Sequence, residues 1–457
     1  MVHDHNKTLC YNFLMLNLLL KSLPFFSEVK RIIIAYSGGL DSHVLLHVTT
    51  RLRNELNNRE LIALHINHGL SEKAGQWTAH CAEQCAVLGV PFININIDAK
   101  HKTGESPEAV AREVRYQAFR EFMQPGDCLL TAHHQDDQAE TLLIQLLRGA
   151  GPRGLAAMPQ YAGFAGGWHV RPLLNFSRDE LQAYARKTFS PNIQLWIDDE
   201  SNRDTRFGRN FLRHEIIPKL KARFPGMAAT VSRSARLCAE AAELLVSVAA
   251  DDLQQVQLDD GAFSVTGLLA LGETRARNLL HQCCRDRGLP TPSAAQLHCI
   301  WNEVIGASAD SEPLVSWAGG EARRYRDALF IGAPLMPHDA ALSLSWDGRA
   351  TLLVPALGRL YGEPVTGQGI ALWALEGKSL NIRFRQGGEK LRPAGRTGHH
   401  TLKKLFQEAG IPPWRRERIP LLYTEGQLLA VAGLWVAHEV AAQPCEPGVN
   451  LHWLASG

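Results

Sequence analysis

Two strings in this chain combine residue types suited to phosphate and metal chemistry. The first is Ser37-Gly38-Gly39-Leu40-Asp41-Ser42, directly behind the apolar run RIIIAY of residues 31–36. Gly38 and Gly39 let the backbone approach a phosphate closely and adopt φ > 0. The successive N–H groups, that of Leu40 included, and a helix N-terminus then face an anion. Ser37 and Ser42 add hydroxyl donors. Asp41 would repel a bare anion, so it makes sense if Mg2+ bridges its carboxylate and the phosphate. The bland alternative is a strand–turn–helix capped by Asp41 or Ser42. The whole string behind a strand is more specific than a cap requires. It is not a Walker A loop: the Gly377-Lys378-Ser379 triplet has Leu372 where a glycine is needed, so the usual γ-phosphoryl machinery is missing.

The second string is Ala132-His133-His134-Gln135-Asp136-Asp137-Gln138-Ala139-Glu140-Thr141. His133, Asp137, Glu140 and Thr141 share one helix face by their spacing. That face could hold Mg2+ or an ammonium group. The plain alternative is that Asp136 and Asp137 complement the helix dipole. In His65-Ile66-Asn67-His68-Gly69-Leu70-Ser71, Gly69 permits a turn, and Asn67 and His68 could face a nucleotide. The alternative there is a core His65 beside a simple turn. Arg112 and Arg115 lie one helical turn apart, and from sequence alone read as solvated ion pairs with neighbouring Glu.

The elements that must position these strings alternate. Strands at 31–36, 61–67, 91–97 and 128–132 are separated by helical patterns, including 77–88, 107–122 and 133–147. This predicts an α/β fold with a doubly wound parallel sheet. A Gly-rich stretch over 149–173 reads as loop and hairpin, and Ser177 with Glu180 as a helix capping pair. Residues 228–306 read as a helical domain, 333–345 as a linker, and 346–457 as a small mixed α+β domain.

In order along the chain, these strings, with Gly151-Pro152-Arg153-Gly154-Leu155 and Arg171-Pro172-Leu173, resemble the tRNA(Ile)-lysidine synthetase family. SGGLDS resembles the PP-loop of N-type ATP pyrophosphatases. The resemblance is strong over residues 31–220 and returns in the last 80. It implies a PP-loop ATP-pyrophosphatase catalytic domain at 1–224, a helical tRNA-contacting domain at 225–335, and a linker with a small basic tRNA-binding domain at 336–457. It further implies that ATP and free L-lysine convert the wobble cytidine of a CAU-anticodon isoleucine tRNA to lysidine. His65, Asn67 and His68 would then join residues 37–42 at the nucleotide, and Asp41 would hold Mg2+. Arg112 would meet phosphate charge, Asp137 or Glu140 would seat the lysine amine, and His133 or His134 could shuttle protons.

Residues 198–224 interleave Arg203, Arg206, Arg209 and Arg213 with Phe207 and Phe211. Arg with aromatic residues fits a splayed RNA base and its phosphates, although an amphipathic helix with a charged outer face is the alternative. Residues 380–420 hold ten Lys or Arg against three Asp or Glu, in a chain of net charge +2. Lys390, Arg392, Lys403, Lys404 and Arg415 belong to that basic stretch, which predicts polyanion binding. Trp414 and Phe406 read as core more than as stacking residues. Family members often carry Lys where His399 or His400 stands, which leaves one phosphate contact open.

The nine Cys are odd in number and contain no Cys-x-x-Cys. A reduced, cytoplasmic chain without a metal cluster is the expectation. The apolar segment 11–20 lacks signal-peptide flanks and is too short to span a bilayer; it is expected to pack on the first domain. No membrane association is expected, and a homodimer is left open. The competing readings are a PP-loop tRNA thiolase, a small-molecule amidating ligase and a non-catalytic RNA-binding protein. The thiolase lacks its Cys motif, the ligase does not explain the basic stretch, and the intact loop and acidic helix oppose the last.

Overall fold

The structure, a computed structural model, describes residues 25–57, 59–69, 73–97, 107–189, 195–197, 204–308 and 311–455. The expectations for residues 11–20, Leu70, Ser71 and Arg203 lie outside the described residues. The chain forms two compact units, Met1–Leu245 and Val246–Gly457.

In the first unit, β1 (Arg31–Ala35), β2 (Glu60–Asn67), β3 (Phe92–Asn96), β4 (Asp127–Leu130), β5 (Tyr161–Phe164) and β6 (Gly167–Val170) form one sheet. The order is β3-β2-β1-β4-β6-β5. All neighbours are parallel except the β5–β6 hairpin at the edge. Alternate residues of β1 feed different cores. Ile32 and Ile34 pack with Val44, Leu45, Cys81 and Leu181. Ile33 packs on the other face with Leu64, Ala118, Phe119 and Leu129. Helices on both faces explain why β1 is apolar without alternation. Truncating a fully buried Ile such as Ile33 would cost about 2–5 kcal/mol.

The chain leaves β1 for β2 on one side, while β4 pairs on the other. The strand order reverses between β1 and β4, where open α/β sheets bind ligands at the carboxyl ends of the strands. Their other ends are tied by Arg31, which donates to both oxygens of buried Asp127 at 2.9 and 2.5 Å.

The second unit holds two packing groups. Helices Val265–Leu271, Glu273–Asp286 and Ala294–Cys299 share a core (Phe263, Leu268, Leu280, Ile300, Leu329) with an antiparallel sheet. That sheet pairs β7 (Phe263–Ser264), β10 (Ala328–Gly332), β9 (Gly320–Tyr325) and β8 (Leu314–Trp317). The expected helical domain thus ends in a β-meander. Its tight connections, Ala318-Gly319 and Arg326-Asp327, place Gly319 and Arg326 at positive φ, which suits two-residue hairpins. The last hundred residues form antiparallel sheets around the helix Leu402–Glu408, with Phe406 fully buried, as the mixed-domain reading expects. Among the described residues no helix is long and apolar enough to cross a membrane.

Candidate active site

The loop behind β1 is organised by its serines. The Ser37 and Ser42 hydroxyls lie 3.0 Å apart, Ser42 Oγ donates to the Gly39 carbonyl at 2.9 Å, and Ser37 N donates to Ser42 Oγ at 3.3 Å. Gly38 sits at φ 82°. A Cβ there would lie 2.7 Å from Cys81 Sγ and 2.9 Å from the Ile197 side chain. Both the conformation and the space demand glycine. Gly39 occupies the N-cap of helix Leu40–Arg51, and no side chain caps it. Neither Asp41 nor Ser42 acts as cap, so the helix N-terminus keeps its anion-binding capacity.

Asp41 Oδ2 lies 3.5 Å from His134 Nε2. Asp41 Oδ1 is buried and has no hydrogen-bond partner among the described residues. A buried, unpartnered carboxylate oxygen beside an anion site fits a Mg2+ ligand. Mg2+ commonly takes one or two protein carboxylates and completes its shell with phosphate and water. Among the described residues no group of three or more His, Cys, Asp or Glu could hold a metal by itself.

His134 caps the helix Gln135–Leu147. Its Nδ1 accepts from Asp137 N at 3.4 Å, and Asp137 Oδ2 accepts from His134 N at 3.0 Å. Asp137 therefore serves the cap with Oδ2, and Arg209 and Arg213 with Oδ1. Burial disfavours the charged His134 ring, yet Asp137, Asp41 and Asp136 outweigh it and raise its pKa. Burial likewise opposes Asp137 ionisation, but His134, Arg209, His133 and Arg213 hold its pKa below the ordinary carboxylate range.

Arg209 and Arg213, expected beside the RNA, turn their guanidinium groups onto Asp137 and Glu140. Arg209 reaches Glu140 Oε2 at 2.7 Å and Asp137 Oδ1 at 3.1 Å. Arg213 reaches Glu140 Oε1 at 2.6 Å, Glu140 Oε2 at 2.9 Å and Asp137 Oδ1 at 3.0 Å. Glu140 is 1% exposed, and a buried carboxylate must be paired. A π-type turn, Leu212–Ile216, carries Arg213. Such turns occur beside residues like Pro218 that cannot donate to the helical ladder. Both oxygens of Glu140, one of the two residues expected to meet the lysine amine, accept from Arg209 or Arg213. Asp136 instead pairs with Lys221, a residue the sequence gave no reason to choose, and accepts from Arg178 N at 3.0 Å.

The remaining residues divide. His65 lies in the core beneath the loop, with Nδ1 2.9 Å from the Tyr36 carbonyl, so it supports the loop from below. Asn67 shapes its turn, accepting from Gly69 N at 2.9 Å. His68 contacts Arg115 at 3.3 Å, and burial, then Arg115, pull its pKa down to about 4. Arg112 is exposed with its guanidinium 5.0 Å from the Tyr116 ring centre, and its charge acts on His133. Burial, with the positive charges of Arg171, Arg209 and Arg112, outweighs the opposing pull of Asp137 and brings His133 down to about 3. It is therefore neutral near pH 7. Arg206 is exposed and pairs locally with Asp204 at 2.7 Å. Thr131 and His169, which hydrogen-bond in series to His133, carried no spacing signal for a site; Arg171, bonded to His169, entered only through the Arg171-Pro172-Leu173 string. The thiols of Cys81, Cys85 and Cys128 are all pushed up to about 12 by burial, unlike an activated nucleophile.

In the second unit, Lys390, Lys403, Lys404 and Arg415 are exposed and Arg392 is half-buried. Arg415 also contacts Asp260 at 3.5 Å. Arg416 of the same stretch is buried, donating to the Ile411 carbonyl and the Tyr325 hydroxyl. Trp414 packs against Phe330 and Tyr325, as a core residue would.

Residues 14–220 match the family model of the PP-loop domain. Residues 263–330 match the TilS substrate binding domain, and 380–453 the TilS substrate C-terminal domain. The chain is 43% identical over 434 residues to a tRNA(Ile)-lysidine synthase of Coxiella burnetii, covering 95% of each chain. It is 41% identical to the enzyme of that name from Methylococcus capsulatus (92% of this chain, 95% of the relative). It is also 41% identical to that of Serratia proteamaculans (93% and 95%). With similarity at this level running through the uncapped phosphate loop and on to the last strands, the chain belongs to the tRNA(Ile)-lysidine synthase family.

Proposed function

We propose that this chain is an ATP-dependent ligase that joins lysine to C2 of the wobble cytidine of an isoleucine tRNA. The observation that carries the reading is the uncapped helix N-terminus at Gly39 facing the β1–β4 gap, with the unpartnered Asp41 oxygen beside it. A carbonyl oxygen is a poor leaving group, and adenylation makes it a good one. The cytidine C2 oxygen attacks the α-phosphate of ATP, and pyrophosphate leaves. The lysine ε-amine then adds at C2 and gives up its proton, and AMP departs with the former C2 oxygen.

Residues 37–42 cradle the pyrophosphate through backbone N–H groups and the serine hydroxyls. Asp41 would hold a Mg2+ ion, which supplies positive charge to the polyphosphate. Arg112 places a further positive charge near the reacting phosphate. Catalysis is then mainly positioning and charge stabilisation. Asp137 and Glu140 are the acidic groups offered to the lysine amine, and a lysine ammonium binding them displaces a contact of Arg209 or Arg213. The basic surface of Lys390, Arg392, Lys403, Lys404 and Arg415 fits tRNA phosphates. The division of labour among residues 1–224, 225–335 and 336–457, and a cytoplasmic location, belong to the same proposal.

Nucleoside analysis of tRNA incubated with enzyme, ATP and labelled lysine tests it. Label in a modified cytidine is expected; unlabelled tRNA contradicts it.

A further inference from the structure

His133 ends a buried chain of hydrogen-bonding groups. Arg171 Nη2 lies 3.2 Å from His169 Nδ1, His169 Nε2 lies 2.8 Å from Thr131 Oγ1, and Thr131 Oγ1 lies 2.8 Å from His133 Nδ1. A guanidinium only donates. His169 Nδ1 therefore accepts, and the neutral ring carries its proton on Nε2. Burial and the Arg171 charge keep that ring neutral, with a pKa near about 2. Its Nε2–H donates to Thr131 Oγ1.

Thr131 is buried and its hydroxyl owns one proton. Among the described residues, His133 Nδ1 is the acceptor left for that proton. Were Nδ1 protonated, Thr131 would accept twice and its own proton would have no partner, an unmade buried hydrogen bond. The chain thus has one internally consistent direction, and it runs from Arg171 to His133.

We infer that Thr131, His169 and Arg171 are positioning residues that hold His133 in the Nε2–H tautomer, so that His133 meets the reacting phosphate as a hydrogen-bond donor and not as a general base. Nε2 lies across the ring from Thr131 and has no hydrogen-bond partner among the described residues. The chemistry agrees. A cytidine C2 carbonyl oxygen carries no proton, so its attack on phosphorus needs no base. Charge does develop on the non-bridging phosphate oxygens, where a fixed N–H donor is worth most. The inference rests on the adenylation reading above.

The tautomer is read by long-range proton–nitrogen correlation on the full chain labelled with 15N-histidine, without ATP or RNA. His133 is assigned by the signal lost in His133→Gln. An unprotonated Nδ1 with a protonated Nε2 is expected; a protonated Nδ1 overturns the inference. Thr131→Val removes the hydroxyl at constant shape. It is expected to release the tautomer preference and lower kcat for ATP–pyrophosphate exchange about tenfold, with KM for ATP held within about twofold. Thr131→Ser restores both. His133→Gln keeps a donor near the Nε2 position and is expected to stay within about tenfold of wild type, while His133→Ala loses about 100-fold or more. Equal inactivity of the Gln and Ala variants would assign a base role and overturn the inference. If the wild-type chain, supplied with tRNA, catalysed no exchange while the tautomer held, the adenylation reading would fall instead.

Discussion

Asp41 and His134 meet across the gap between β1 and β4, with carboxylate and imidazole 3.5 Å apart. The contact joins the two loops that the parallel sheet brings to its ligand-binding edge. It also divides the labour of Asp41: one oxygen is steadied by His134, and the other has no partner among the described residues. Asp41→Ala is therefore expected to reduce ATP–pyrophosphate exchange by about 100-fold or more. tRNA affinity by filter binding should change less than about twofold, because the basic surface lies elsewhere in the sequence.

Gly38 has no room for a side chain between Cys81 and Ile197 and adopts a positive φ. Gly38→Ala displaces the loop without removing any chemical group. The expected result is a rise in KM for ATP of about tenfold or more, with a destabilisation of about 1–3 kcal/mol in urea unfolding. Cys81→Ala in the same chain relieves one of the two close contacts and neither the Ile197 contact nor the φ, so it rescues only part of the loss.

The pairing of Arg209 and Arg213 with Asp137 and Glu140 makes a compact ionic cluster. Glu140→Ala leaves both guanidinium groups only their contacts to Asp137 Oδ1 and is expected to cost about 1–3 kcal/mol. Arg213→Ala also destabilises, but it frees carboxylate oxygens. If those oxygens seat the lysine amine, free lysine raises the melting temperature of Arg213→Ala more than that of the wild type, as thermal unfolding with and without lysine will show.

These pairs explain what could and could not be read in advance. The parallel sheet was legible because β1 is apolar on both faces and its loop is a six-residue signature. The Ser177–Glu180 capping box was legible because it is local, and it forms as expected. The inward turn of Arg209 and Arg213 was not: their partners lie 69 to 76 residues away, and spacing on a helix says nothing of what the helix faces. The buried chain from Arg171 to His133 was hidden for the same reason, since strands β4 and β6 bring Thr131 beside His169. The meander of residues 314–332 was overridden by the Ala- and Leu-rich helices before it.

Stability should weaken on mild acidification. His65 and His169 are buried in the folded chain, burial lowers both pKa values, and His169 falls to about 2. An unfolded histidine titrates near pH 6.5. Below that pH the unfolded chain binds more protons than the folded one. The contribution is thus full above pH 6.5 and is lost as pH falls toward the folded values. For His169 the slope is about 1.4 kcal/mol per pH unit. Urea midpoints at pH 7.5 and 5.0 should differ in that direction, and His169→Asn should narrow the difference.

The most direct test of the central claim follows one oxygen atom. tRNA carrying 18O at C2 of its wobble cytidine is incubated with the enzyme, ATP and lysine, and the nucleotide products are weighed by mass spectrometry. If the loop of residues 37–42 releases pyrophosphate while AMP is placed on that oxygen, the label appears in AMP. ADP as the product, or AMP without label, would contradict the account.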